Sequence, residues 1–325
     1  MYHSDPYYYM VVSQDVLEGK LNKIFMFRDR IPFLVLITLG SYIAEVTGNS
    51  CIFVNRAIIA IISSLGVLFT YLLAKRLLGF VGGLISAFIL SVSPWYLLYS
   101  IVPYPDTLRY LMGIITVYIF MFYDSNSYYL FGAIFFALSC ATMPASIILL
   151  LSIVIIIFSR EKSLKKALRG LIPTLIIAFL FFALYMIFKP ITRFTLIEQI
   201  ALFNIELLRV AVLIQLPQQL TTEVFIFSLL GMLSSILSRC ETVENNRKYL
   251  IALMVYIWMS IFVQVLYYSP YTYFSVNRPA ALPPTVRLPP RSLIYIHGFI
   301  IIFCSHAYPA IEFSYHFLFY LFIVI

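Results

Sequence analysis

The feature that most restricts this chain is the grouping of its apolar residues. They run in blocks on the order of 20 residues, the length of a helix that crosses a bilayer. One block opens near Cys51, runs to about Leu73 and ends at Lys75 and Arg76. Others run Leu77 to Tyr99, Leu108 to Tyr123, Tyr128 to Phe158, Leu171 to Phe188, Val224 to Leu237 and Tyr249 to Tyr267. Stretches such as Ile147 to Phe158 do not alternate apolar with polar residues, so helices are expected in place of a membrane β-barrel. With 62% of the 325 residues apolar and 11% charged, a water-soluble globular fold is excluded as well. The expected fold is all-α, a polytopic transmembrane helical bundle of roughly eight or nine spans.

The blocks are not uniform. Tyr128 to Phe158 is long for one span, short for two, and holds Pro144 near its middle, so a bent pair of shorter helices is expected. Residues 5–19 place Tyr8, Val11, Val12 and Val16 along one helical face, with Asp15 and Glu18 nearer the other, and Pro6 suits a first helical position. That stretch is too short and too polar to cross, which predicts an interfacial amphipathic helix. Residues 31–47, which carry Glu45, are expected to be interfacial or half-inserted. No basic segment followed by an apolar one opens the chain, so no signal peptide is expected. The expected organisation is a non-cytoplasmic juxtamembrane segment (1–50), a transmembrane core (51–268), and a proline-rich outer loop with a C-terminal hydrophobic segment (269–325).

The formal net charge is +8, from 22 Lys+Arg against 14 Asp+Glu. In a membrane protein this excess points to cytoplasmic anchors or to sites for anionic lipid and phosphate; nucleic acid is not expected as a partner. The densest basic loop, Arg160, Lys162, Lys165, Lys166 and Arg169, should be cytoplasmic. Alternation puts Lys75, Arg76, Arg239, Arg247 and Lys248 on the same side. The remaining basic residues, among them Arg109, Arg193 and Arg278, fall on or near the other side. A plain tally does not favour this orientation, and the outer cations are read as kept for binding something anionic.

Two aspartates stand out. Asp5 begins the first amphipathic stretch, and Asp106 sits in VPYPDTL between two spans. Under this topology both lie at the non-cytoplasmic surface, where carboxylates are expensive to desolvate and often functional. One can accept the proton of an attacking hydroxyl while the other orients the acceptor or holds a divalent metal. Each also fits a helix N-cap, the simpler role on spacing alone. The four cysteines stand singly, which supports neither a disulfide framework nor a zinc site. His297, His306 and His316 do not share a helical face, so metal binding by them is not expected. Tyr7, Tyr8 and Tyr9 suit stacking on a sugar, although an interfacial aromatic belt is the commoner role. Gly82-Gly83 reads as a packing feature or a helix start, not a phosphate loop.

The order of these features resembles the GT-C superfamily of polyprenyl-phosphate-sugar-dependent glycosyltransferases, in its family 39-like branch of protein O-mannosyltransferases and the lipid A aminoarabinose transferase. The stretch Ser4 to Tyr9, with its helix running to Gly19, resembles the family's first outer loop, an acidic residue followed by aromatics. Asn55 to Gly79 is similar to a span with a Tyr-Leu-Leu-Ala-Lys-Arg-like exit. Gly83 to Leu108 resembles the span with a Ser-Pro exit and a second acidic residue before the next helix. ATMPASIILL, Ala141 to Leu150, resembles a bent helix pair. The likeness is good from Asp5 to about Arg169 and loose afterwards.

What the resemblance implies is a GT-C-like bundle with interfacial helices in its first outer loop. The implied reaction is inverting transfer of a sugar from a polyprenyl phosphate to a protein, lipid or glycan, on the non-cytoplasmic face of the plasma membrane. Asp5 matches the acidic residue that serves as base for the acceptor, and Asp106 matches the second acidic position. Tyr7, Tyr8, Arg109, Arg193 and Arg278 are candidate substrate contacts. For Arg109 and Arg193, snorkelling or topological anchoring is the favoured role, whereas Arg278 lies in SVNRPAALPP, similar to a late Arg-then-Leu-Pro stretch of the family. Family members begin with a spanning helix before the acidic loop. Here that loop opens the chain, so the expectation is a shortened frame or a variant that takes the helix from a partner. An oligosaccharyltransferase-like subunit is disfavoured, because Trp95 and Trp258 form no Trp-Trp-Asp signature. A transporter of lipid-linked sugars would be expected to show internal repeats, and a non-catalytic scaffold stays open as an alternative.

Overall fold

The computed structural model describes residues 5–20, 30–161, 163–188, 208–209, 211–215, 222–237, 241–276 and 299–302. Among them every regular element is helical and there is no strand. In order they are α1 (Asp5–Leu17), α2 (Ile31–Thr47), α3 (Cys51–Val92), α4 (Pro94–Ser100), α5 (Pro105–Phe122) and α6 (Asn126–Thr142). A 3₁₀ segment (Pro144–Ile148), α7 (Leu149–Arg160), α8 (Leu164–Phe188), a π turn (Ala211–Gln215), α9 (Thr222–Leu237) and α10 (Glu241–Val276) follow. Two helical stretches among the described residues are long and apolar enough to cross a membrane, Cys51–Val92 and Asn246–Val263.

The long apolar run of α3 is not one rod. Gly79 has φ 84° and ψ −179°, and it divides the helix into arms 51–78 and 80–92. The chain turns back there, because the Tyr96 hydroxyl, 17 residues beyond Gly79, donates to the Ser63 carbonyl at 2.7 Å. An L side chain is strained at that φ, so glycine is what the reversal requires. Gly83 lies against the Lys75 backbone, where an added Cβ would come within 3.1 Å of Cα and N, so Gly82-Gly83 serves close packing of the two arms. The sequence-based expectation of one span from Leu77 to Tyr99 is therefore corrected. The helix breaks at Gly79, then again at Ser93, where Pro94 starts α4. The bent pair expected around Pro144 is present as α6, the 3₁₀ segment and α7.

Helix α5 is the centre of the bundle, buried on nearly all sides. One apolar cluster joins it to α3, α4, α6, α7, α8 and α10, through Tyr110, Ile114, Val117 and Phe120 among others. A second joins its first turns to α1, α2 and the first arm of α3, through Leu108, Leu111, Tyr9, Phe33 and Ile59. On α1 the buried face is Tyr9, Met10, Val12 and Ser13, while Val11 is 53% exposed. The expected face of Tyr8, Val11, Val12 and Val16 is thus rotated, because α1 docks on α2 with Tyr9 edge-on to Phe33 at 5.1 Å. Gly19 ends α1 at φ 83°, and Gly48 ends α2 at φ 68° with backbone bonds to the Ala44 and Glu45 carbonyls.

One end of the bundle gathers the basic residues. Arg76 lies over the rings of Tyr118, Phe122 and Tyr123. Arg160 donates to the carbonyls of Phe120 and Tyr123 at the end of α5, both at 2.7 Å. Lys248 donates to the Ser159 carbonyl and Asn246 to that of Leu77. Lys75-Arg76, Arg160 and Lys248 thus share one end, the grouping expected from alternation of the apolar blocks.

Candidate active site

At the opposite end of α5, Pro105 sits in the first turn, where its fixed φ suits a helix start and its missing N–H costs nothing. Tyr104 holds the N-cap position with extended backbone and no side-chain cap bond. Asp106 is therefore inside the helix and is not its cap, which corrects the simpler sequence reading. Its carboxylate lies where the amide dipoles favour negative charge, and it is only 3% exposed. The next residue, Thr107, ties the approach to the turn by donating to the carbonyls of Tyr99 at 3.3 Å and Tyr104 at 3.5 Å.

Arg109 follows three residues on, so it is Asp106's neighbour on the helix surface. It is 1% exposed and is among the largest fully buried side chains described. Snorkelling to an interface is excluded by that burial. Its Nε donates to Ser146 Oγ at 2.7 Å and its Nη1 to Met143 Sδ at 3.2 Å. Ser139 Oγ donates to the Arg109 carbonyl at 3.3 Å. These partners come from the bend. Pro144 cannot continue α6 and holds Met143 extended, at φ −158° and ψ 118°. The 3₁₀ turn that follows presents Ser146, itself buried, to the guanidinium. A buried guanidinium keeps its charge and is costly to desolvate, so its bonds to Ser146 and Met143 are what hold it there.

The Asp106–Arg109 turn and the basic end are separated by the length of α5, roughly 25 Å at 1.5 Å per residue. Tyr8 packs at the edge of the cluster that holds Leu108 and Leu111, so α1 docks beside the start of α5. Asp5 and Tyr7 are in the first turns of α1. Arg193 and Arg278 lie outside the described residues. Among the described residues no group of three His, Cys, Asp or Glu side chains is gathered. Sequence reasoning missed Ser139, Met143 and Ser146. The signal for them was Pro144, whose bend turns the residues around it toward α5.

Residues 32–188, from α2 through α8, match the family model described as dolichyl-phosphate-mannose-protein mannosyltransferase. That segment, just under half of the chain, is similar to the family. No curated protein and no solved structure is significantly similar to it. The mannosyltransferase family consists of membrane-integral glycosyltransferases of the GT-C type. Both Asp106 and Arg109 lie within the matched segment, while Asp5, Tyr7 and Tyr8 precede it and Arg193 and Arg278 follow it.

Proposed function

We propose that this glycosyltransferase moves a sugar from a polyprenyl phosphate to a hydroxyl acceptor at the non-cytoplasmic membrane surface, inverting the anomeric carbon. The observation that carries the reading is the buried acid and guanidinium three residues apart on α5, inside the family segment and far from the basic end. In the transfer, the acceptor oxygen bonds to the anomeric carbon as the bond from that carbon to the phosphate oxygen breaks. The bonding pair leaves with polyprenyl phosphate, and the hydroxyl proton passes to Asp5 as general base. Asp106 orients the acceptor. Charge grows on the departing phosphate, and cations held in place beforehand are the effective stabilisers of such charge. Arg109 fills that role through a rigid fork set by Ser146 and Met143, with Arg193 and Arg278 as further phosphate contacts and Tyr7 and Tyr8 against the sugar.

In this reading the basic end of the bundle faces the cytoplasm of a plasma-membrane protein. Residues 1–50 form the outer interfacial segment, 51–268 the spanning core, and 269–325 an outer loop with a last apolar segment. The test is transfer from a panel of labelled polyprenyl-phosphate sugars in membranes expressing the chain, with Asp5→Asn beside it. Loss of about 100-fold or more with normal insertion is expected for Asp5→Asn. Transfer that survives the change overturns the base assignment and leaves the family intact. Silence from both forms, with co-purification of a second membrane protein, favours a partner-dependent scaffold.

A further inference from the structure

Four polar side chains, Ser13, Ser41, Cys51 and Asn55, meet where α1, α2 and α3 join. Ser13 Oγ and Ser41 Oγ are 2.7 Å apart. Ser41 Oγ also lies 3.2 Å from Cys51 Sγ and donates to the Ile37 carbonyl at 3.0 Å. Asn55 Nδ2 reaches both Ser41 Oγ and Cys51 Sγ at 3.3 Å. Ser13, Ser41 and Asn55 are buried, and Ile37 and Ala44 flank the cluster on α2. Gly40 lets the helices close here, since an added Cβ would overlap Asn55 Oδ1 and come within 2.9 Å of Ile58 Cδ1.

Such a cluster sets direction as well as attraction. A buried hydroxyl is expensive without partners, and Ser13 meets Ser41 only at one rotation and one depth of α1. Ser13 can also donate to the Met10 carbonyl at 2.6 Å, a bond local to α1 that does not fix the helix against its neighbours. Tyr9, one turn earlier, adds a second point of attachment through its edge-on contact with Phe33, and Arg30 covers its ring at 5.5 Å. Asp5, Tyr9 and Ser13 are spaced four apart, so the two attached residues and the acidic one fall on a single register of the helix. Whatever fixes Ser13 and Tyr9 therefore fixes the direction in which α1 carries residue 5.

We propose that Ser13 is a positioning residue for sugar transfer: its bond to Ser41, held in turn by Cys51 and Asn55, sets the rotation of α1 that delivers Asp5 to the acceptor. This rests on the assignment of Asp5 as base. The experiment compares the full chain with Ser13→Ala, Ser13→Thr, Ser41→Ala and Asp5→Asn in membranes. Each is assayed for kcat and KM with a labelled polyprenyl-phosphate sugar that the unaltered chain uses. Alkylation of Cys51 by a maleimide, read by peptide mass spectrometry, reports docking of α1 independently of turnover.

Ser13→Ala is expected to lower kcat by about 100-fold with KM within about twofold, since small misplacement of a catalytic group is costly. Cys51 should alkylate faster in that variant, and Ser13→Thr, which keeps the hydroxyl, should restore both readings. Ser41→Ala should reproduce the loss from the α2 side, so a poorly accumulating Ser13→Ala does not remove the test. Normal kcat in both alanine variants while Asp5→Asn is inactive overturns the positioning role and spares the base. Transfer that persists in Asp5→Asn overturns the base assignment, and the positioning role with it.

Discussion

Arg109→Lys is expected to lower sugar transfer by about 100-fold while the protein stays folded, an effect of the size seen when one donor to developing charge is removed. Lysine keeps the positive charge and most of the volume. It cannot place one N–H on Ser146 Oγ and another on Met143 Sδ, because an ammonium is a point on a flexible stem and a guanidinium is a planar fork. The charge would persist at the bend without its aim. The check is kcat and KM for the donor in purified protein, together with thermal unfolding to establish that the bundle survives. A lysine variant with normal turnover would mean that the charge alone suffices and that the bend at Pro144 has no part in transfer.

The second large effect lies at the other end of α5. Arg160 donates to the Phe120 and Tyr123 carbonyls, which the last turn of α5 leaves without helical partners. It also pairs with Glu161 at 2.9 Å and approaches Asp124 at 3.8 Å. Tyr129 bonds to the same guanidinium and donates to both carboxylates at 3.0 Å. The Arg160 side chain is 13% exposed and that of Glu161 6%, so little solvent is at hand to take over. Arg160→Leu should therefore cost about 3 kcal/mol, the low end for removing one partner of a buried pair. Unfolding in detergent measures it, and a loss below about 1 kcal/mol would put the network in the class of exposed pairs. Molecules that do fold should transfer sugar at an unaltered rate, since the change lies roughly 25 Å from Asp106.

What the sequence disclosed, and what it hid, follows from the range of the interactions involved. Helical character, the bend at Pro144 and the gathering of Lys75-Arg76, Arg160 and Lys248 at one end depend on local apolar runs, a proline and the alternation of spans. Those are all readable in order along the chain. The reversal at Gly79 was not, because Lys75-Arg76 reads as the end of a span and the apolar residues from Leu77 read as the start of another. The reversal lies in Gly79's conformation and in contacts across it, Gly83 against Lys75 and the Tyr96 hydroxyl on the Ser63 carbonyl. The face of α1 was misjudged for a similar reason: a count of apolar residues favours Val11 over Ser13, whereas Ser41, 28 residues away, makes the polar residue the buried one. Asp106 illustrates a finer limit. A cap and a first-turn residue are one or two positions apart, and Pro105 starts the helix ahead of the expected cap, leaving Tyr104 in that position. The burial of Arg109 was out of reach, since Ser146 is 37 residues distant.

The short return after Gly79 works as a ruler. The first arm of α3 rises about 42 Å at helical pitch, but the second comes back only about 20 Å before Ser93 breaks it. On α4, Tyr96 still bonds to Ser63, about 18 Å along the first arm from Cys51. Leu108 shares its cluster with Ile59 and Ile62, which places the first turn of α5 on the order of 10 Å below the Cys51 end. Asp106 and Arg109 therefore sit at the bottom of a step whose height is a count of residues.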